Sequence, residues 1–398
     1  MQHVSQRIAN LSESATIAMA QRSRELKAEG KDIISLSLGE PDFHTPDFIK
    51  EAAKKAIDEN FTQYTPVPGY QELREAISKK FKRDNGLDYS ANQIVASTGA
   101  KQSIANVVLS LVNPGDEVIL LSPYWVSYVE IVKMAEGIPV FVESSIEKDF
   151  KITAEQLQAA MTSKSRMMIF SSPCNPSGSI YSKEELAKIA QVVSQKSDFY
   201  VISDEIYEHI NFVGKHESLA QFDEVYHQVI TINGVSKGFA MTGWRLGYIG
   251  APEWIAKACN KIQGQFTSGT CSITQKAAIA ALEADPSVTY EMRDAFKMRR
   301  DMVLEKLKQI EGFQVNVPEG AFYAFPNVKA LFGKKTTKGE TIKNSSDLCM
   351  YLLDEAQVAM VTGEAFGAPD CIRISYAAST EQLTEAMNRI KTAVEKLS

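Results

Sequence analysis

The 398-residue chain has little cysteine, little histidine and no excess of positive charge. Its five cysteines, Cys174, Cys259, Cys271, Cys349 and Cys371, are scattered, and no two have the C-x-x-C spacing of a zinc ribbon or a dithiol motif. An odd number at irregular spacing points to reduced thiols in a reducing, cytoplasmic compartment. No two of the five histidines stand four residues apart, so the ligand pair of a helical zinc-protease motif is missing and no metal centre is expected. With 43 basic and 49 acidic residues the formal net charge is -6, which lacks the basic footprint of a nucleic-acid binder. No run of about 18 apolar residues occurs, which argues against a membrane-spanning helix. The N-terminal stretch lacks the apolar core of a secretory signal. G-x-G-x-x-G and Walker A patterns are both absent, so any phosphate must be seated in another way.

What is present suffices for a full core: 44% of residues are hydrophobic and 23% charged, near globular averages. Apolar runs at 94–97, 117–122, 138–143, 166–171, 199–203 and 229–233 read as strands, with helical patterns between most of them. Thr153 with Gln156, and Ser182 with Glu185, fit capping boxes that satisfy free amides at a helix start. Thr45-Pro46 reads as a capping hydroxyl before a proline at the first helical position. Strands alternating with helices imply an α/β fold with a mostly parallel sheet covered on both faces. Beyond about residue 285 the texture changes. A charged helical stretch, YEMRDAFKMRRDMVLEKLKQI, precedes strand-like pieces at 313–317 and 321–325, a polar loop GKKTTKGETIKNSS, a strand at 372–376 and a helix from Thr380. These features divide the chain into a large α/β domain over 46–290 and a smaller α+β domain after it, with residues 1–45 packed on either.

Gly234-Val235-Ser236-Lys237-Gly238 matches the G-x-S-x-G elbow of α/β-hydrolases. The hydrolase order needs a histidine after the serine, and the last one here is His227. The same loop carries Lys237 among small residues, and a lysine amine forms Schiff bases with carbonyl compounds, pyridoxal phosphate among them. Taken alone, such a lysine is ordinarily a solvated surface residue. Asp204 follows the run FYVIS, at the strand end where open α/β sheets bind ligands. A carboxylate there suits the pyridine nitrogen of pyridoxal phosphate, whose protonation makes the ring an electron sink; alone, it reads equally as a helix cap. Tyr207 offers a phenol three residues on. Ser97-Thr98-Gly99-Ala100-Lys101 opens a helical run whose free amides can seat a phosphate. Ser172-Pro173-Cys174-Asn175-Pro176-Ser177-Gly178 is a turn after another strand. Arg245, in TGWRLGY, is buried-looking between glycines, and its planar fork suits an oxyanion.

With SLGEPDFHTP, YTPVPGYQELREAI, SPYWVSY, PCNPSG, SDEIYEH, SKGFAMTGWRLGY and CIRISYA, the chain resembles the fold-type I pyridoxal-phosphate aminotransferases of class I, close to bacterial-type aspartate aminotransferases, over essentially its whole length. The resemblance implies the pyridoxal-phosphate transferase fold, with a large domain over 46–290 and a discontinuous small domain from 1–45 and 291–398. It implies pyridoxal 5'-phosphate as cofactor and a homodimer with shared active sites. Lys237 would hold the cofactor as an internal aldimine, Asp204 would pair with the pyridine nitrogen, and Asn175 and Tyr207 would bond the ring oxygen. Trp125 and Ile206 would flank the ring. Gly99, Ala100, Ser236 and Arg245 would surround the phosphate, joined by Tyr64 from the partner subunit. Arg373 would grip the substrate α-carboxylate as a bidentate pair, with Gly39, Trp125 and Asn175 bordering the substrate. Thr16 and Lys101 would meet a distal carboxylate, although Lys101 could point at the phosphate instead.

The implied reaction is ping-pong transamination between L-aspartate and 2-oxoglutarate, giving oxaloacetate and L-glutamate. Another aminotransferase of the same fold, acting on an aromatic amino acid, prephenate or alanine, is the alternative; a pyridoxal-phosphate lyase and a non-catalytic pyridoxal-phosphate regulator are the readings of other classes. No arginine occurs between Arg245 and Arg293, so the partner-subunit arginine that one aspartate subgroup uses is missing. Relatives that transaminate prephenate usually carry a basic residue shortly before Thr16, where this chain has Ser12-Glu13. The same resemblance matches Ser122-Pro123 and Asn175-Pro176 to positions where cis bonds are seen, and at least the second is expected to be cis.

Overall fold

The apolar runs of the central chain become strands in a computed structural model that describes residues 4–398. In chain order the strands are β1 (Ile34–Ser35), β2 (Ile94–Ser97), β3 (Glu117–Ser122), β4 (Ile138–Glu143), β5 (Ser165–Ser171), β6 (Tyr200–Asp204), β7 (Val229–Gly234), β8 (Gly247–Gly250), β9 (Tyr323–Ala324), β10 (Val358–Ala359), β11 (Val361–Thr362) and β12 (Ile372–Ser375). Strands β2 to β8 form one seven-stranded sheet in the order β2-β8-β7-β6-β5-β3-β4. Its neighbours are parallel except β8, which runs antiparallel to both β2 and β7. The six strands expected from sequence match to within one residue at either end. Strand β8 was not anticipated, because GYIG contributes two side chains and two glycines, too little for a period to show.

The central strands are nearly continuous apolar runs because both sheet faces are covered. Val118, Leu120, Met167 and Ile169 pack under the helices Ala100–Leu111, Ser127–Met134 and Glu253–Phe266. The alternate residues Ile119, Leu121, Met168 and Phe170 pack under Asp47–Asp58, Gln71–Lys80, Lys183–Val193 and Ser272–Glu283. Both expected capping boxes form, at Thr153 with Gln156 and at Ser182 with Glu185. The Thr45-Pro46 expectation is corrected. Pro46 takes the cap position of helix Asp47–Asp58 with no side-chain cap, because the Thr45 hydroxyl donates 2.8 Å to the Ala240 carbonyl in the loop beyond Lys237.

A second apolar cluster unites helix Tyr290–Leu307, helix Ser345–Glu355 and helix Thr380–Glu395 with the three-stranded antiparallel sheet β11-β12-β9. The expected strand at 313–317 is instead irregular, touching Asn327 by one isolated bridge at Gln314. The early chain joins this region: β1 pairs with β10, Ile34 opposite Val358. The Leu36 carbonyl accepts from the Ser375 amide at 2.9 Å, and the Arg389 guanidinium meets Asp32 at 2.5 Å. The bonds Ser122-Pro123 and Asn175-Pro176 are cis, as is Ser172-Pro173. Among the described residues no helix is long and apolar enough to cross a membrane.

Strand β8 reaches the helix start at Ala100 through one glycine. A Cβ on Gly247 would lie 2.2 Å from the Ala100 amide nitrogen, a backbone atom that cannot move aside cheaply. Gly247→Ala is therefore expected to lower stability by about 1–3 kcal/mol, read as a shift of the urea midpoint at unchanged slope.

Candidate active site

Three adjacent parallel strands, β5, β6 and β7, end on the same edge of the sheet, and β2 runs in the same direction. Their carboxyl ends deliver Asn175, Asp204, Ser236 and Lys237, and the turn after β2 delivers Ala100 and Lys101. The early chain adds Thr16 and Gly39, and β12 adds Arg373. Together they line a cavity of about 260 Å³, with Trp125, Ile206, Tyr207 and Arg245 also on its wall. Residues more than 300 positions apart in sequence thus face one space, as Arg373 and Thr16 do.

Each wall residue has a definable state. The Lys237 amine donates to the Gly39 carbonyl at 2.5 Å and lies 5.7 Å from the Tyr207 ring centre. Burial pushes this ammonium down to about 8, outweighing the pull of Glu40. Asp204 is 5% exposed and forms no ion pair among the described residues. It accepts from the Tyr128 hydroxyl at 2.7 Å and from the Ile206 amide at 3.3 Å. Burial pushes its carboxyl up to about 6, with those two hydrogen bonds opposing. Arg373, 1% exposed, donates to Asn175 at 2.9 Å and to the Ser37 carbonyl at 2.6 Å, while its Nε has no partner. Lys101 lies 5.0 Å from the Trp125 ring centre, and burial lowers its ammonium, with Arg245 adding to the effect.

Two expected residues do not line the space. Gly99 stands behind it, and its lack of a side chain admits Arg245, whose Nη2 would lie 2.4 Å from a Cβ there. Tyr64 is fully exposed, at 100%, and away from the cavity of its own chain. Arg245 itself is exposed rather than buried, because it takes a left-handed conformation at φ 57° and turns its Nη1 to the Thr242 carbonyl at the mouth. The sequence reading missed Tyr128 and Tyr323. Both are tyrosines in apolar surroundings, and only their tertiary partners, Asp204 and Tyr207, separate them from ordinary core residues.

The model of the aminotransferase class I and II family matches residues 31–390. The chain belongs to this family.

Relatives agree along the full length. The chain is 47% identical over 395 residues to the bifunctional aspartate aminotransferase and glutamate/aspartate-prephenate aminotransferase of Petunia hybrida, covering 98% of this chain and 82% of that one. It is 44% identical to the aspartate/prephenate aminotransferase of Cereibacter sphaeroides, over all of both chains. The crystal structure of the aspartate aminotransferase from Rhizobium meliloti superposes with a TM-score of 0.97 at 41% identity, covering 100% of each chain. The Thermus thermophilus aspartate aminotransferase with maleate gives 0.93 at 38% identity, over 99% of this chain and 100% of that one.

Aminotransferases of this family depend on pyridoxal 5'-phosphate, and the cavity suits that group. Asp204 is a buried carboxylate without an ion pair among the described residues, and a protonated pyridine would supply the cation. The amides of Ala100 and Lys101 open helix Ala100–Leu111 with no protein acceptor among the described residues, the arrangement that binds phosphate at a helix start. The Ser171 hydroxyl on the same wall is also without a partner.

The shifts fix a pH dependence for the apoprotein. Lys237 loses its proton near pH 8 when folded and near 10.5 when not. The folded state then binds fewer protons between those values, so this lysine makes stability rise with pH across that window. For Asp204 the folded value of about 6 exceeds the ordinary 3.8; its contribution is present below 3.8 and lost as pH rises through 6. Labelling of apoprotein Lys237 by trinitrobenzenesulfonate, mapped by peptide mass, should be half-maximal near pH 8; a midpoint above pH 10 would contradict the buried amine.

Proposed function

We propose that the chain is an aspartate aminotransferase, moving the amino group between L-aspartate and 2-oxoglutarate with pyridoxal 5'-phosphate as cofactor. The observation that carries the reading is the convergence of Lys237, Asp204 and Arg373 on one cavity in a member of the aminotransferase family. When bound, pyridoxal 5'-phosphate supplies an aldehyde that condenses with amines and a ring that accepts electrons.

The chain's own residues do the rest. Lys237, with its ammonium lowered to about 8, would anchor the cofactor covalently and serve as the base that takes the proton from the substrate α-carbon. Asp204 holds a proton at the pyridine nitrogen, and the Tyr128 hydrogen bond at 2.7 Å aims its carboxylate. Trp125 and Ile206 would flank the ring, and Asn175 and Tyr207 would meet its oxygen. Ser236, Arg245 and Ala100 would receive the phosphate, with Gly99 behind them making room for Arg245 and Lys101 a further candidate there, and Tyr64 would reach the phosphate site of the second subunit in a homodimer. Its complete exposure in one chain supports that assignment. Arg373 takes the substrate α-carboxylate, beside Gly39. Thr16 and Lys101 meet the distal carboxylate of aspartate or glutamate, the ammonium acting as a point charge.

Residues 1–45 and 291–398 act as one small domain closing on 46–290; the β1–β10 pairing supports this, and such closure excludes water. The compartment is the cytoplasm. A second reading, that prephenate is also transaminated, is favoured by the names of the Petunia hybrida and Cereibacter sphaeroides relatives.

Lys237→Ala should abolish turnover while leaving the circular dichroism spectrum and unfolding midpoint near those of the parent; near-normal transamination would sink the reading. Lys101→Met should raise KM for aspartate by about ten- to hundredfold, the loss of one charge-assisted hydrogen bond, and leave the alanine half-reaction unchanged. An equal loss for both donors would move Lys101 to the phosphate. Half-reaction titrations with aspartate, glutamate, phenylalanine and alanine, and prephenate as acceptor, read the substrate range directly.

A further inference from the structure

Two phenols meet on the cavity wall where the proposed chemistry uses one. The hydroxyls of Tyr207 and Tyr323 lie 2.7 Å apart. The two residues are 3% and 0% exposed, and neither hydroxyl has another hydrogen-bond partner among the described residues. A phenol carries one proton to donate, so the pair holds two protons and makes one hydrogen bond. The donating phenol spends its proton inside the pair. The accepting phenol keeps its proton free for the cavity, which both residues line. The donor therefore decides which tyrosine addresses a ligand.

The surroundings select Tyr323 as donor. The Arg373 guanidinium lies 4.6 Å from the Tyr323 ring centre, closer than the Lys237 amine, 5.7 Å from that of Tyr207, and the nearer buried positive charge favours the phenol that gives its proton away. Burial raises both phenols and Arg373 opposes the rise at both, but the bond between them lowers Tyr323 while Tyr323 adds to the rise at Tyr207, which stands the further above its usual value. The more acidic phenol is the better donor. The Tyr323 hydroxyl is also fixed in place: a Cβ on Gly39 would lie 2.1 Å from it, so the glycine backbone rests directly against the oxygen. The rings meet edge to face, with centroids 5.8 Å apart.

We propose that Tyr323 is a positioning residue for Tyr207: by donating to the Tyr207 hydroxyl it leaves the Tyr207 proton free to point into the cavity, toward the ring oxygen of bound pyridoxal 5'-phosphate. The proposal rests on the reading that Tyr207 meets that oxygen. It also gives Gly39 a second duty, because a side chain there would displace the hydroxyl that orients Tyr207.

Tyr323→Phe keeps the ring and removes only the donor. The measurements are the affinity of each apoprotein for pyridoxal 5'-phosphate, followed by tryptophan fluorescence, and the pH midpoint of the bound cofactor's absorbance. Tyr323→Phe should weaken binding by about two- to tenfold, the worth of one neutral hydrogen bond, and shift the absorbance midpoint in the same direction as Tyr207→Phe. The double variant should bind no more weakly than Tyr207→Phe alone, because Tyr323 acts through Tyr207. A full additional loss in the double variant would overturn the proposal. So would a Tyr323→Phe variant that melts earlier but keeps the parental affinity and midpoint, since that is a packing role only. If Tyr207→Phe changes affinity and midpoint but Tyr323→Phe changes neither, the proposal alone fails. If neither variant changes them, the reading of Tyr207 fails with it.

Discussion

Asp204 is a carboxylate buried with no cation of its own, and the arrangement of the cavity follows from that constraint. Removing an ion from water costs several kcal/mol in a real protein, and here the cost surfaces as a carboxyl pushed up to about 6. The Tyr128 hydroxyl and the Ile206 amide offset part of it. Neither supplies positive charge. Lys237, without forming an ion pair with Asp204, favours the ionised form through its charge, and a ligand bringing a protonated nitrogen to the end of β6 would relieve the rest, as the proposed function requires. Lys237 bears the opposite strain, an ammonium in surroundings that push it down to about 8.

The same turn solves the burial problem differently on its other side. Glu205, next to Asp204, and Glu208, four residues after it, are also buried, but each has protein partners. Glu205 accepts from Ser203 at 2.8 Å and Ser218 at 2.6 Å and pairs with His216 at 2.9 Å. Glu208 pairs with buried Lys80 and accepts from Asn85 at 2.7 Å. Burial works against ionisation of Glu208, yet Lys80 and the two histidines outweigh it and hold the carboxyl well below its usual range. Glu205, Glu208 and His216 bring ligand-type atoms within 4.8 Å of one another; the Lys80 ammonium already supplies the cation there. One short turn therefore presents an unpaired carboxylate to the cavity and neutralised ones to the interior. His209, on that turn, abuts Gly238 beside Lys237, where a Cβ would lie 2.6 Å from its ring, so the paired side supports the reactive one.

The cavity is also a joint between distant chain segments. Arg373 is tied to Asn175 beyond β5 and to the Ser37 carbonyl of the early chain, while Gly39 accepts from Lys237. The groups expected to bind substrate are thus held by the backbone of one region and the side chains of another. A shift of the N-terminal segment would move Thr16, Gly39 and the Arg373 tether together.

Amino-acid order alone determined the strands of the large sheet, the two capping boxes and most of the wall of the cavity. Buried parallel strands require unbroken apolar runs, and loops at their ends carry the reactive side chains, so both signals are local. Strand β8 was illegible because its two glycines are required by contacts with Ala100 and with the Tyr89 ring, partners more than 140 positions away. The region at 313–317 was apolar enough for a strand but has no partner strand, and a period cannot report that. The orientation of Arg245 at the mouth, the diversion of Thr45 to Ala240, and the hydrogen bonds of Tyr128 to Asp204 and of Tyr323 with Tyr207 were visible only in the tertiary structure. Each depends on a hydrogen bond or a close approach between residues far apart in the chain, and no local pattern of residue types encodes such a distance.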